Sequence, residues 1–166
     1  MKQIGIISDT HGYLDDKVFS YFAQCDEVWH AGDIGPGVAE KLAAFKPFKA
    51  VYGNIDGGDV RRAFPEEMFF ECEGHRVYMV HIGGSPGKYP GNVKAKIIEK
   101  KPSLFICGHS HILRVVTDKT HHNMLYLNPG AAGIQGFHTV RTLIRLKIHQ
   151  GLISDLQVIE LGNRNR

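Results

Sequence analysis

Cysteine is scarce in this chain: Cys25, Cys72 and Cys107 are an odd number, far apart, and each lies among apolar neighbours. That excludes a disulfide framework and fits small reduced core residues, hence a reducing compartment, the cytoplasm. Long hydrophobic runs are also lacking. The apolar start from Met1 to Ile7 is stopped by Asp9, short of a signal-peptide core. No later run approaches the ~20 residues of a membrane span, so a membrane is not an expected partner. Nor is charge of one sign massed. The net charge is +3 with Lys and Arg scattered, so the basic footprint of a nucleic-acid binder is missing and nucleic acid is not an expected partner either. The nearest thing to a basic run, Lys94, Lys96, Lys100 and Lys101, reads as the solvated face and C-terminal end of a helix. Without repeats, low-complexity tracts or a linker, residues 1–166 are expected to form one domain.

What the chain does have is alternation. Ile4 to Ile7, Glu27 to His30, Lys49 to Tyr52, Val77 to His81 and Leu104 to Cys107 read as short buried strands. Between them, helical stripes are formed by Leu14, Val18, Tyr21 and Phe22, by Val38, Leu42 and Phe45, and by Val93 and Ile97. Gly91-Asn92 starts the third helix and Pro102 ends it. The second half is richer in strand: Met68 to Cys72 and His75 to Val80 form a hairpin around Glu73-Gly74. Ile112 to Thr117, Met124 to Leu127, Thr139 to Ile148 and Leu152 to Leu161 look antiparallel, and Gly162 to Arg166 looks like a frayed end. An α/β domain of two packed sheets flanked by helices accounts for both halves.

Metal-binding residues stand where the apolar strands stop. Asp9 and His11 follow the first, Asp33 the second, Asn54 and Asp56 the third, His81 the next, and His109 and His111 the one after. That end of an α/β sheet is where ligands bind. The alternation in Asp9-x-His11 and His109-x-His111 lets two side chains serve one site. Mixed imidazole and carboxylate donors suit Zn, Fe, Mn, Co or Ni better than Ca or Mg alone. Asp9, His11, Asp33, Asn54, His81, His109 and His111 are too many for one tetrahedral zinc. Two divalent ions about 3.5–4 Å apart would share a carboxylate, for which Asp33 is the natural bridge. Each piece alone reads as a cap, a turn or a hydrogen-bonded histidine. Together, so many imidazoles and carboxylates would be costly to bury without a cation.

The ordered set Asp9-x-His11, Gly32-Asp33, Gly53-Asn54, His81 and Gly108-His109-Ser110-His111 resembles the calcineurin-like metallophosphoesterase superfamily. The length and the Asn128-Pro129-Gly130 turn resemble its small branch of YfcE-type phosphodiesterases. The resemblance implies a four-layer sandwich of two mixed sheets between helices, with a dinuclear site at the C-terminal strand edge. It implies one metal on Asp9, His11, Asp33 and His111, and another on Asp33, Asn54, His81 and His109. The expected activity is hydrolysis of a small phosphoester, most naturally a diester, by a hydroxide bridging the metals. Asp33, Asn54 and Asp56 are the residues expected to take part in catalysis, and Arg61, Arg62, Lys88 and Tyr89 are candidates to touch substrate. Two positions depart from the family pattern. Ile55 stands where most members have a histidine that serves the leaving group, and isoleucine can neither donate a proton nor hydrogen-bond. Ile82, before Gly83-Gly84-Ser85-Pro86-Gly87, replaces the usual glycine and reshapes the entrance. The rival expectation is a non-catalytic scaffold of the same fold, like the small subunit of the retromer coat, and assembly into a homo-oligomer is left open. His30, His75, His138 and His149 have no partner spacing, and His121-His122 reads as an exposed turn.

Overall fold

Apolar runs without strict alternation arise when both faces of a strand are covered, and the inner strands of this molecule are buried that way. The computed structural model describes residues 1–165. In order, the elements are β1 (Lys2–Ile7), α1 (Lys17–Tyr21), β2 (Glu27–His30), α2 (Val38–Phe45), β3 (Phe48–Ala50), α3 (Gly58–Ala63), β4 (Glu67–Cys72) and β5 (His75–Val80). They continue with α4 (Gly91–Lys100), β6 (Leu104–Ile106), β7 (Arg114–Asp118), β8 (Met124–Asn128), β9 (Val140–His149) and β10 (Leu152–Asn163).

Two five-stranded sheets form, in the orders β10-β9-β1-β2-β3 and β4-β5-β6-β8-β7. Each is mixed: β1, β2 and β3 are parallel, as are β5, β6 and β8, while the outer partners run antiparallel. Side chains on alternate positions of one strand enter different layers. Ile4 and Ile6 meet Val77, Met79, Leu104 and Ile106 between the sheets. Ile7 and Val28 face outward onto Val18, Phe22, Val38 and Leu42. Tyr78 and Phe105 turn from the other sheet onto Val93 and Ile97 of α4. The layers are therefore helices, sheet, sheet and helix, as the family resemblance implied.

The hairpin turn has Glu73 at φ 46° and Gly74 at φ 89°, the left-handed pair that matches strand twist. Some boundaries differ from expectation. β3 stops at Ala50, and Val51 and Tyr52 continue only through single backbone bonds to His30 and Pro65. The helix α3 was unforeseen because Gly57-Gly58 reads as loop, although Val60 and Phe64 are spaced to pack on one face, as they do. The expected frayed tail is a strand as far as Asn163, and Arg164 bonds the Thr139 and His138 carbonyls. Arg166 lies outside the described residues. Among those residues no helix is long and apolar enough to cross a membrane.

Candidate metal centre

Asp9 and Asp33 each leave a strand of the first sheet, and His81 and His109 each leave a strand of the second. Packing the two sheets brings these exits together. Asp9, His11 and His111 form one trio whose donor atoms lie within 4.8 Å of one another, and Asp33, His81 and His109 form a second. The backbone turns sharply to achieve this: Asp9, His11, Asp33, His109 and His111 all have φ between 48° and 70°. Residues with a Cβ rarely adopt that region, and such strain concentrates at functional sites.

Each carboxylate is held by one oxygen and presents the other. Asp9 Oδ2 accepts from Ser8 Oγ at 2.6 Å and from the His109 amide at 3.1 Å. Its Oδ1 stands 3.1 Å from His111 Nε2 and 3.8 Å from His11 Nε2. Asp33 Oδ1 accepts from the Ile55 amide at 3.0 Å, while Oδ2 lies 3.1 Å from His81 Nε2 and 3.5 Å from His11 Nε2. Asp33 thus touches a histidine of each trio. Glycine is needed at Gly53 and Gly108, where a Cβ would overlap the Asp33 carboxylate or Ser8 and Asp9.

Two of the histidines, His81 and His111, are fixed in the tautomer that a metal ligand needs. His81 Nδ1 donates to the Ala31 carbonyl at 2.8 Å, which leaves Nε2 with its lone pair toward Asp33. His138 Nε2 donates to the Gly133 carbonyl at 2.8 Å, so its Nδ1 accepts from His111 Nδ1 at 3.2 Å and His111 Nε2 keeps its lone pair. His109 Nδ1 lies 3.1 Å from Asn54 Oδ1. The loop carrying His109 and His111 is anchored from below by buried Asn128, whose amide donates to the Gly108 carbonyl and Ser110 Oγ.

The cluster fits a cation. Asp9 Oδ1, His11 Nε2 and His81 Nε2 are buried without a hydrogen-bond partner among the described residues, a costly state for polar atoms unless something else pairs them. Donors each about 2.1 Å from one ion stand about 3.0–3.4 Å apart at octahedral or tetrahedral angles. The two closest carboxylate–imidazole contacts in the cluster, both 3.1 Å, fall in that interval. Burial opposes charge on Asp9 and Asp33, yet the neighbouring histidines hold both carboxyls below the usual range. The His11 imidazole is pushed up by the neighbouring Asp9 carboxylate, and that of His81, against burial, by Asp33. Carboxylate and imidazole thus favour each other's charge within the cluster.

Other expected residues are held by neighbouring groups. Both oxygens of buried Asp56 accept backbone amides, from Ile34 and Gly53 on one and Gly35 on the other. It ties the Asp33 loop to the Asn54 loop. Arg61 donates to the Asp56 and Asn54 carbonyls and stacks over Tyr52, Arg62 pairs with Asp59, and the Tyr89 hydroxyl donates to Asp118. Buried His30, its pKa lowered by burial to about 4, is neutral and braces Thr10 and the Gly32 amide. His138 is the residue that sequence spacing missed, because its partner His111 is 27 positions away.

Paired carboxylate and imidazole trios between two mixed sheets make a candidate metal centre of the class that phosphoester chemistry uses. A family model, the calcineurin-like phosphoesterase superfamily domain, matches residues 1–151, and the chain belongs to that family. No curated protein matches it by sequence. Its fold is similar to that of a novel archaeal phosphodiesterase, at 23% identity and TM-score 0.70 over 96% of this chain and 99% of that one. A predicted phosphoesterase from Streptococcus pneumoniae is similar at 21% identity and TM-score 0.68, over 99% and 91%. Wild-type Vps29 from Entamoeba histolytica, complexed with zinc, is similar at 15% identity and TM-score 0.73, over 98% and 99%. At these identities the likeness is one of fold.

Proposed function

We propose that the chain is a metal-dependent phosphodiesterase acting on a small phosphoester. The observation that carries this reading is the pair of ligand trios, with Asp33 of the second standing 3.5 Å from His11 of the first and three buried ligand atoms left without a hydrogen-bond partner. Asp9, His11 and His111 would hold one divalent ion, and His81, His109 and Asn54 the other, with Asp33 common to both. Such ions, manganese foremost and zinc, iron, cobalt or nickel as alternatives, supply Lewis acidity and an activated water near neutral pH. The residues of this chain orient and tune that chemistry. The Ala31 carbonyl and His138 keep the imidazoles in their ligating tautomer, Ser8 and the Ile55 amide aim the carboxylates, and Asn54 faces the phosphoryl group. Asp56 positions both loops instead of reacting. Ile55 offers no proton, so departure depends on the basicity of the leaving group. A diester brings one negative charge fewer than a monoester to a site built on Asp9 and Asp33, which favours the diester.

The test is hydrolysis of bis(4-nitrophenyl) phosphate and 4-nitrophenyl phosphate by metal-free and reconstituted protein. Metal-dependent turnover with the diester faster is expected; a faster monoester reverses the preference. The second reading is a scaffold of this fold, favoured by Ile55 and by the likeness to Vps29. A Vps29 complexed with zinc exists, so metal content does not separate the readings. Full metal loading with no turnover of either ester would establish the scaffold.

A further inference from the structure

Two clefts flank the Asn54–Asp56 loop, and they differ in chemistry. One is a groove of about 720 Å³ between α2 and α3, walled by Ala39, Ala43, Ile55, Val60, Ala63 and Phe64. Ala39 and Ala43 stand one helical turn apart on α2, and facing them are Val60 and Ala63 of α3 and Phe64 just after it. The charged residues of the groove are all acidic: Glu40, Asp56 with its oxygens taken by amides, and Asp59 paired with Arg62. The other cleft, about 370 Å³, mixes charge of both signs, with Arg61 and Lys96 beside Glu66 and Glu67, and Asn54 and His81 of the metal centre also in its wall. Ile55 joins the groove to the metal centre. Its side chain is 47% exposed and lines the groove, while its amide donates to Asp33 at 3.0 Å.

We propose that the α2–α3 groove seats an uncharged, apolar aryl or alkyl arm of the phosphodiester, with the polar arm directed to the Arg61 side; this rests on the phosphodiesterase reading. A phosphoryl group at Asp33 lies by the Ile55 backbone, whose side chain lines the groove, so an apolar substituent directed past Ile55 enters a space with room for a ring. Removing apolar surface from water there is favourable. A second phosphate would meet carboxylates and no cation in the groove, so doubly phosphorylated substrates are disfavoured.

The experiment compares phenylphosphonate with methylphosphonate, two non-hydrolysable anions that share the phosphonate and differ in the apolar arm. Calorimetry on the zinc-loaded protein should give phenylphosphonate a Kd about tenfold lower. In Ala43→Trp and Ala63→Phe, which fill the groove from opposite walls, the ratio should fall to within about twofold of one. The methylphosphonate constant is the internal reference for an intact centre, and NMR amide shifts on the phenyl ligand should map to α2 and α3. Equal affinities in the original protein, a ratio that survives both substitutions, or shifts confined to the Arg61 cleft would overturn the proposal. Because these measurements need no turnover, absence of diester hydrolysis with the ratio intact would overturn the catalytic reading alone.

Discussion

His138 sets the orientation of His111 across 3.2 Å, Nδ1 to Nδ1, and is itself anchored to the Gly133 carbonyl. A ligand histidine without its outer partner loses its fixed tautomer and ring orientation, and such losses typically cost 10–100-fold in metal affinity. His138→Ala should therefore weaken one metal equivalent by that order and spare the other. Competition titrations with a chelating dye measure both; two unchanged constants would mean that His138 is incidental.

Asp33 lies within 3.5 Å of a histidine in each trio. Asp33→Ala should lower saturated stoichiometry from two ions per chain by at least one, whereas His138→Ala weakens a site without abolishing it. Elemental analysis after manganese reconstitution reads the result. Retention of two ions would remove the bridging role.

Asp56 accepts three backbone amides while buried. Leaving those donors unsatisfied costs about 1–3 kcal/mol each at most, because water enters the space left by Ala. Asp56→Ala should lower the stability of the metal-free protein by at least about 2 kcal/mol in urea unfolding. A reacting group would instead cost turnover and leave stability unchanged.

Glu27, 6% exposed, accepts from Lys2, Lys49 and the Trp29 indole. Burial pushes its carboxyl up, but the bonds from Lys2, Lys49 and Trp29 outweigh it and hold the pKa at about 2 against the usual 4.5. A folded-state pKa below the unfolded one means stability that is complete above pH 4.5 and is lost as the pH falls toward 2. Glu27→Gln should cost about 1–3 kcal/mol at pH 7, and the gap to the original protein should close across that acid window. Urea unfolding of both metal-free proteins over the pH series checks it; a constant gap would place the effect elsewhere.

Ile55 is half-exposed beside Asp33, so the position has room for an imidazole. In the original protein the rate should fall steeply as leaving-group pKa rises. Ile55→His should raise turnover of diesters with poor leaving groups by up to roughly 10²-fold, and that of nitrophenyl esters much less. A shallow dependence in the original protein would show that another residue supplies the proton.

Much of this was legible in the linear chain. The inner strands announced themselves because burial on both faces demands runs such as Ile4 to Ile7, and strand exits announced themselves because a sheet edge is where polar residues can stand. The order Asp9, His11, Asp33, Asn54, His81, His109, His111 follows from those local rules and from the family resemblance. Other features depended on packing. That Asp56 is a staple, that His138 serves His111, and that small residues on α2 and α3 leave a groove beside Ile55 are relations between segments far apart in sequence. Periodicity reports which face of an element is buried, but not what lies against it. Only the docking of one sheet on the other, and of two short helices on the first, decided which of ten histidines meet. Those contacts are set by the shape of the whole core, to which no single stretch of sequence has access.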